Sequence, residues 1–131
     1  MFLDTSAMVA ILVEENDAAA LTRRVEQAIE AFTSPIAIYE AVLGVARVRN
    51  VPITAAQSAL DDFVAQASVT IVPITSDTGR AAIAAFERYG RGRHAAALNM
   101  GDCFAYACAR ERGLSLLFKG NDFLQTDISP A

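Results

Sequence analysis

Four acidic residues stand along this chain at places where strand and helix signals change. Asp4 follows the apolar Met1, Phe2 and Leu3; Glu40 lies in "SPIAIYE", Asp102 in "NMGDC" and Asp122 in "KGNDF". Asp4 poses the sharpest problem. The residues before it read as a short strand buried on both faces, and a buried, unpaired carboxylate at its end costs several kcal/mol. Helix capping is a partial answer, since Thr5 or Ser6 makes a good N-cap for the following "SAMVAILV". One cap suffices, however, and three cap-forming residues stand in a row.

The other acids also have ordinary explanations when taken singly. Asp102 falls in the first turn of an apolar helix, where an anion gains roughly 0.3–1 kcal/mol from the helix dipole. Glu40 shares a helix face with Ile36, Leu43 and Gly44 and by itself is a partly exposed helix acid. Their company changes the reading. A Ser-His-Asp arrangement finds no support, because His94 is the sole histidine, reads as a solvated loop residue, and no nucleophile elbow is present. Glycine-rich phosphate cradles are absent. Two carboxylates would serve glycosidase chemistry, but four converging acids repel one another. A hard divalent cation relieves that repulsion, since magnesium takes oxygen ligands and keeps waters for substrate phosphates. Thr5 and Ser6 would then steady Asp4 or an ion-bound water. Such an ion activates water and neutralises a phosphate during in-line displacement.

Two other readings stay open on the residues alone. One is an aspartyl-phosphate phosphotransferase or phosphatase with Asp4 as nucleophile. It asks for a second acid two residues on, where Ser6 stands, or a lysine at the phosphate, for which Lys119 is the sole candidate. The other is a non-catalytic acidic module that binds a partner. Arg91 and Arg93 in "RGRH" are candidate phosphate contacts, with a mobile polar loop as the alternative.

Elements that could position these acids alternate along the chain without a linker or repeat, so residues 1–131 read as one domain. Its 53% hydrophobic content supports a substantial core. No apolar run reaches the ~18 residues of a spanning helix, and the start lacks the pattern of an export signal. Cys103 and Cys108 fall too far apart around one helix to pair. A cytoplasmic protein with reduced thiols is expected. The net charge of −4 argues against a nucleic-acid binder held by a basic surface. Ten arginines against one lysine fit either genomic base bias or use of arginine's planar fork on phosphates.

After the first strand, a short helix is expected over Ser6 to Val13. A second, capped by Asn16 or Asp17, carries Leu21, Val25, Ile29 and Phe32 at helical period. "FTS" reads as a brief strand. Ser34 caps a helix that has Pro35 at its first position and runs to about Arg49. Thr54 and Gln57 suggest a capping box for the next helix, whose Leu60, Phe63 and Val64 face inward. "SVTIVPI" is a strand. Ser76 or Asp77 opens a helix through Ile83, Phe86 and Tyr89 that Gly90 ends. Asn99 caps a further helix that Gly113 ends, "LSLLF" is a buried strand, and "DIS" is a candidate edge strand. Strands separated by helices imply an α/β parallel sheet with both faces covered. Ligands gather at the carboxyl ends of such strands. If the first strand and "LSLLF" are neighbours, Asp4 and Asp122 reach one rim.

"FLDTSA", "SPIAIYE", "NMGDC" and "LLFKGNDF", in this order over essentially the whole chain, resemble the PIN-domain ribonucleases, most closely the VapC toxins of toxin–antitoxin pairs. The resemblance implies a three-layer α/β/α sandwich with a central, mainly parallel sheet. It implies a metal-dependent endoribonuclease whose acidic quartet is Asp4, Glu40, Asp102 and Asp122. Asp4, Asp102 and Asp122 would hold Mg2+ or Mn2+, and Thr5 or Ser6 matches the hydroxyl position beside the first acid. Asp127 is the residue that would stand in for or assist Asp122. The implied partners are an RNA substrate, a second copy in a homodimer, and an antitoxin that brings a basic segment to the site.

Overall fold

The computed structural model describes residues 1–131. In chain order the elements are β1 (Phe2–Leu3), α1 (Thr5–Leu12), α2 (Ala18–Glu26), β2 (Ala31–Thr33), α3 (Pro35–Arg49), α4 (Ile53–Gln66), β3 (Val69–Ile71), α5 (Ser76–Tyr89), α6 (Met100–Glu111) and β4 (Leu116–Leu117), followed by a 3-10 turn at Phe123–Gln125. The strands form one sheet in the order β3-β2-β1-β4, and every pairing is parallel. Parallel neighbours need crossovers, and the helices supply them. All strands therefore end at one rim. β1 lies beside β4 with Phe2 opposite Leu116 and Leu3 opposite Leu117, so the two strands reach that rim in register.

Alternation along these strands divides the core in two. Phe2 and Leu116 pack with residues of α5 and α6, including Tyr89, Cys103 and Tyr106. Leu3 and Leu117 point the other way, into Met8, Leu21, Val45 and Leu60 from α1 to α4. The result is an α/β/α sandwich of three layers.

Several local boundaries differ from those the sequence suggests, each for a physical reason. Asp4 itself caps α1, accepting from the Ser6 N–H at 2.9 Å, so Thr5 and Ser6 fall inside the helix. α2 stops at Glu26; Ile29 is fully exposed and Phe32 belongs to β2. Asp17 precedes α2 without capping it, because its carboxylate is turned toward Lys119 at 3.2 Å. α4 starts directly after Pro52, whose φ of −56° already suits a helix start, and Thr54 and Gln57 form no box. α5 is capped by Thr75 through a box with Thr78, one residue before Ser76. Ile83 and Phe86 on α5 are 71% and 39% exposed. "DIS" forms no strand; the only pairing there is a single bridge between Leu116 and Pro130.

Candidate active site

Asp4 is the residue at the carboxyl end of β1, and its N–H still donates to the Leu117 carbonyl of β4 at 2.9 Å. Its side chain is 3% exposed. One carboxylate oxygen accepts from both the N–H and the hydroxyl of Ser6, at 2.9 and 2.5 Å. The same Ser6 hydroxyl accepts from the Lys119 N–H at 2.9 Å, which ties the segment after β4 to α1. Burial raises the Asp4 pKa; the Ser6 and Thr5 bonds oppose this, and the Glu40 charge adds to it. The question posed by a buried acid after a strand thus has two answers at once. It caps α1, and burial makes its ionised form costly at the strand rim.

Glu40 reaches the same place from α3, whose start is set by the Ser34 cap and Pro35. The Thr5 hydroxyl donates to one Glu40 oxygen at 3.0 Å. The carboxylate lies against the first turn of α6, over Gly101. A Cβ at that position would overlap the Glu40 carboxylate itself. Replacing Gly101 with alanine is therefore expected to displace Glu40 while leaving the helix intact, because alanine is the better helix former. If Glu40 takes part in the reaction, moving it by about 1 Å costs on the order of 100-fold in rate. Rate measurements together with a thermal melt check this: a Gly101→Ala protein of normal stability and normal rate removes Glu40 from the reaction.

Asp102 comes from the N-terminal turn of α6. It forms a reciprocal box with Asn99: the Asn99 side chain accepts from the Asp102 N–H at 3.0 Å, and the Asp102 carboxylate accepts from the Asn99 N–H at 2.8 Å. Burial pushes its pKa up to about 6, against the Asn99 bond, with the charges of Asp4 and Asp122 adding and Arg91 subtracting. Asp4, Glu40 and Asp102 line one cavity of about 480 Å3 together with Thr5, Ser6 and Asn99. Sequence neighbours contribute little to this meeting; it is made by β1, α3 and α6 converging.

Asp122 stands apart from this wall. It is exposed, at the start of the 3-10 turn after β4, and its carboxylate does not cap that turn. Its charge is nonetheless felt at Asp102, although Asp122 does not line the cavity itself. Asp127 lies at the opposite end of β4, beside a separate cavity with Gly113, Leu114 and Ser115. It accepts from the Tyr106 hydroxyl at 2.5 Å and pairs with Arg88 at 3.1 Å and Arg110 at 3.6 Å. The Tyr106 bond in particular holds its pKa low. Its carboxylate is thus committed to a structural cluster away from the other acids.

The segment carrying Arg91 and Arg93 is a hydrogen-bonded turn, with the N–H groups of Arg93 and His94 donating to the Gly90 carbonyl at 3.0 and 3.1 Å. The exposed His94 takes part in it: Nδ1 accepts from the Ala96 N–H at 3.1 Å and the ring meets Tyr89 edge-on. Arg91 is close enough to lower the Asp102 pKa, whereas Arg93 lies over the Phe86 ring at 5.8 Å. Lys119, the sole lysine weighed for a phosphate at Asp4, lines the cavity but is paired with Glu15 and Asp17. Two further residues matter here that the sequence reading does not single out: Gly101 makes room for Glu40, and Arg47 lines the cavity from α3. The available signals are a glycine in a helical first turn and a spacing of seven from Glu40.

No three of the acids approach closely enough to form a closed cage for an ion. A hard cation that keeps most of its water needs only one or two carboxylates. The oxygen-only donors and the mutual charge of Asp4 and Asp102 fit such an ion.

A parallel three-layer fold with acids at the strand ends defines the class, and comparison with known proteins agrees. Residues 1–129 match the PIN domain. The chain belongs to the PIN-domain family, within its VapC ribonuclease branch. It is 42% identical to a VapC ribonuclease of Rhizobium meliloti (97% of this chain, 98% of the relative). It is 41% identical to ribonuclease VapC30 of Mycobacterium tuberculosis (98% and 96%). Among solved structures, Mycobacterium tuberculosis VapC20, a Sarcin-Ricin loop cleaving toxin, shares the fold at a TM-score of 0.80 and 19% identity, over 99% of this chain and 97% of that one. A toxin–antitoxin complex from Klebsiella pneumoniae does so at 0.69 and 18%, over 96% and 92%.

Proposed function

We propose that residues 1–131 act as one domain, a metal-dependent endoribonuclease that serves as the toxin of a toxin–antitoxin pair. The observation that carries this reading is the buried Asp4 meeting Glu40 and Asp102 in one cavity at the strand rim. Asp4 and Asp102, with Asp122, would hold Mg2+ or Mn2+. When bound, the ion supplies Lewis-acid stabilisation of phosphate charge and a more acidic water.

The chain's own residues do the rest. Ser6 fixes the Asp4 carboxylate, and Thr5 fixes one oxygen of Glu40. The other Glu40 oxygen accepts a proton from the attacking water. As the new P–O bond forms, the opposite P–O bond breaks, and the leaving oxygen takes a proton from solvent. Arg91, whose charge lowers the Asp102 pKa, meets a phosphate of the RNA, with Arg93 further along the same turn.

The acidic cavity suits a basic segment of a cognate antitoxin. The exposed Ile83, Phe86 and Met100 surround an apolar cavity of about 500 Å3 between α5 and α6, a face suited to homodimer formation. No helix is long and apolar enough to cross a membrane. Cys103 and Cys108 are buried free thiols whose pKa burial raises to about 11, which suits the reducing cytoplasm. The test is a mixed RNA pool treated with purified protein in magnesium or manganese, and in chelator. Cleavage with either ion and none in chelator is expected. Cleavage that ignores the chelator overturns metal dependence, and RNA left intact under every condition overturns the ribonuclease reading.

A further inference from the structure

We infer that Arg47 forms a second phosphate subsite, which holds an RNA phosphodiester within three nucleotides of the cleaved bond. This rests on the ribonuclease reading above and extends its site along α3. Two cavities share Glu40, Gly44 and Arg47: the acidic one, and a smaller one that includes Leu43. They make a continuous path from the acids to the C-terminal end of α3. Glu40 and Arg47 are seven residues apart, two helical turns, and so lie on the same face. The intervening rise is ~10.5 Å, about three nucleotides of a stacked strand at ~3.4 Å each, and fewer when the strand is drawn out.

α1 and α3 pack closely at Gly44, where a Cβ would come within 2.9 Å of Val9 Cγ2, so the glycine answers first to the contact between the two helices. It also lies between Glu40 and Arg47 on both cavity walls and adds no side chain to either. The charge of Arg47 is free as well. Its neighbour Arg49 pairs with Glu14 at 3.9 Å, whereas Arg47 makes no ion pair, although it shares a cavity wall with four carboxylates. A cation in the last turn of a helix is favoured by the helix dipole, and Arg49 and Arg47 both satisfy that preference. The dipole does not account for an unpaired guanidinium lining a cavity. A phosphate does, since the planar fork binds two of its oxygens at once. It also answers an electrostatic need: an acidic cavity repels RNA, and a cation beside it draws the strand across.

The test compares wild type with Arg47→Ala, Arg47→Lys and, as a control on α2, Arg23→Ala, on one RNA oligonucleotide. Arg47→Ala is expected to raise KM about tenfold with kcat within about twofold, as for loss of a charged hydrogen bond made equally in ground and transition states. The salt dependence of log KM should fall by about 0.7, the value of one phosphate contact on a single strand. Arg47→Lys should recover the salt slope and only part of the KM, and thermal melts should remain unchanged. Direct binding of the same RNA in an Asp4→Asn background should show the same loss without any cleavage. If wild type cleaves RNA but Arg47→Ala keeps its KM and salt slope, the subsite is wrong and the ribonuclease reading stands. If wild type neither cleaves nor binds RNA, both fall.

Discussion

Asp4→Asn is expected to lower RNA cleavage by about 10³-fold or more while leaving the fold intact. Lewis-acid stabilisation is worth several kcal/mol, and each 1.36 kcal/mol is tenfold in rate. The amide keeps the size of the carboxylate and remains a good cap for α1, so its oxygen still accepts from the Ser6 N–H that now bonds Asp4. It loses the charge that a hard cation requires. Burial that raises the Asp4 pKa also means that the ionised group is a burden on the ion-free fold. The same substitution should therefore raise the melting temperature measured in chelator. Loss of activity with gain of stability separates a functional acid from a structural one. An Asp4→Asn protein that melts higher yet cleaves at the wild-type rate shows that Asp4 serves only as a cap.

Ion binding should shift the melting temperature in a pH-dependent way. With its pKa raised to about 6 from 3.8, Asp102 binds its proton more tightly in the folded chain than in the unfolded one. The proton-linked stability is then complete below about pH 4 and is lost as pH climbs through about 6. Asp4 shifts in the same direction. For a partly exposed group such as Asp102 the change amounts to about 1–2 kcal/mol once screening by water is allowed for. In chelator, the melting temperature should thus fall between about pH 4 and pH 7.

Divalent ion reverses the trend, because it binds the deprotonated carboxylates. At a hundredfold excess over its dissociation constant it adds about 2.7 kcal/mol, roughly 6–15 °C for a domain of this size. The shift should be small near pH 4.5, where protons compete, and full near pH 7.5. Asp102→Asn should abolish most of it. Melts of wild type and variant across this range, with chelator, magnesium and manganese, provide the measurement. A wild-type melting point indifferent to both ions at pH 7.5 means that Asp4 and Asp102 hold no cation.

Much of what surrounds the acids is legible in the amino-acid sequence, because those signals are local. A continuous apolar stretch before Asp4, the Ser34-Pro35 start of α3 and the Asn99 cap of α6 each depend on a few neighbouring residues. Such preferences survive in almost any tertiary setting. The alternation of strand and helix likewise leads to a parallel sheet, since parallel neighbours require long crossovers. Helix faces were less legible. Ile83 and Phe86 have the right period for an inward face on α5 but lie on its exposed side. Periodicity describes an apolar stripe without saying whether the protein's own core covers it.

Tertiary structure alone decided which acids meet. Asp122 and Asp127 are five residues apart and chemically identical. The first follows β4 by a short turn and its charge reaches Asp102, whereas the chain then returns along β4 and sets the second against Tyr106, Arg88 and Arg110. Glu40 joins Asp4 because Thr5 donates to it and because Gly101 leaves space on α6. Neither contact has a local signature; both depend on how α1, α3 and α6 pack. Arg47 is a routine helix-ending arginine in the sequence and becomes a wall of the cavity once α3 lies against α1. Capping and strand character are decided over a few residues. Convergence of charge is decided over tens of residues, by the packing that forces the acids together.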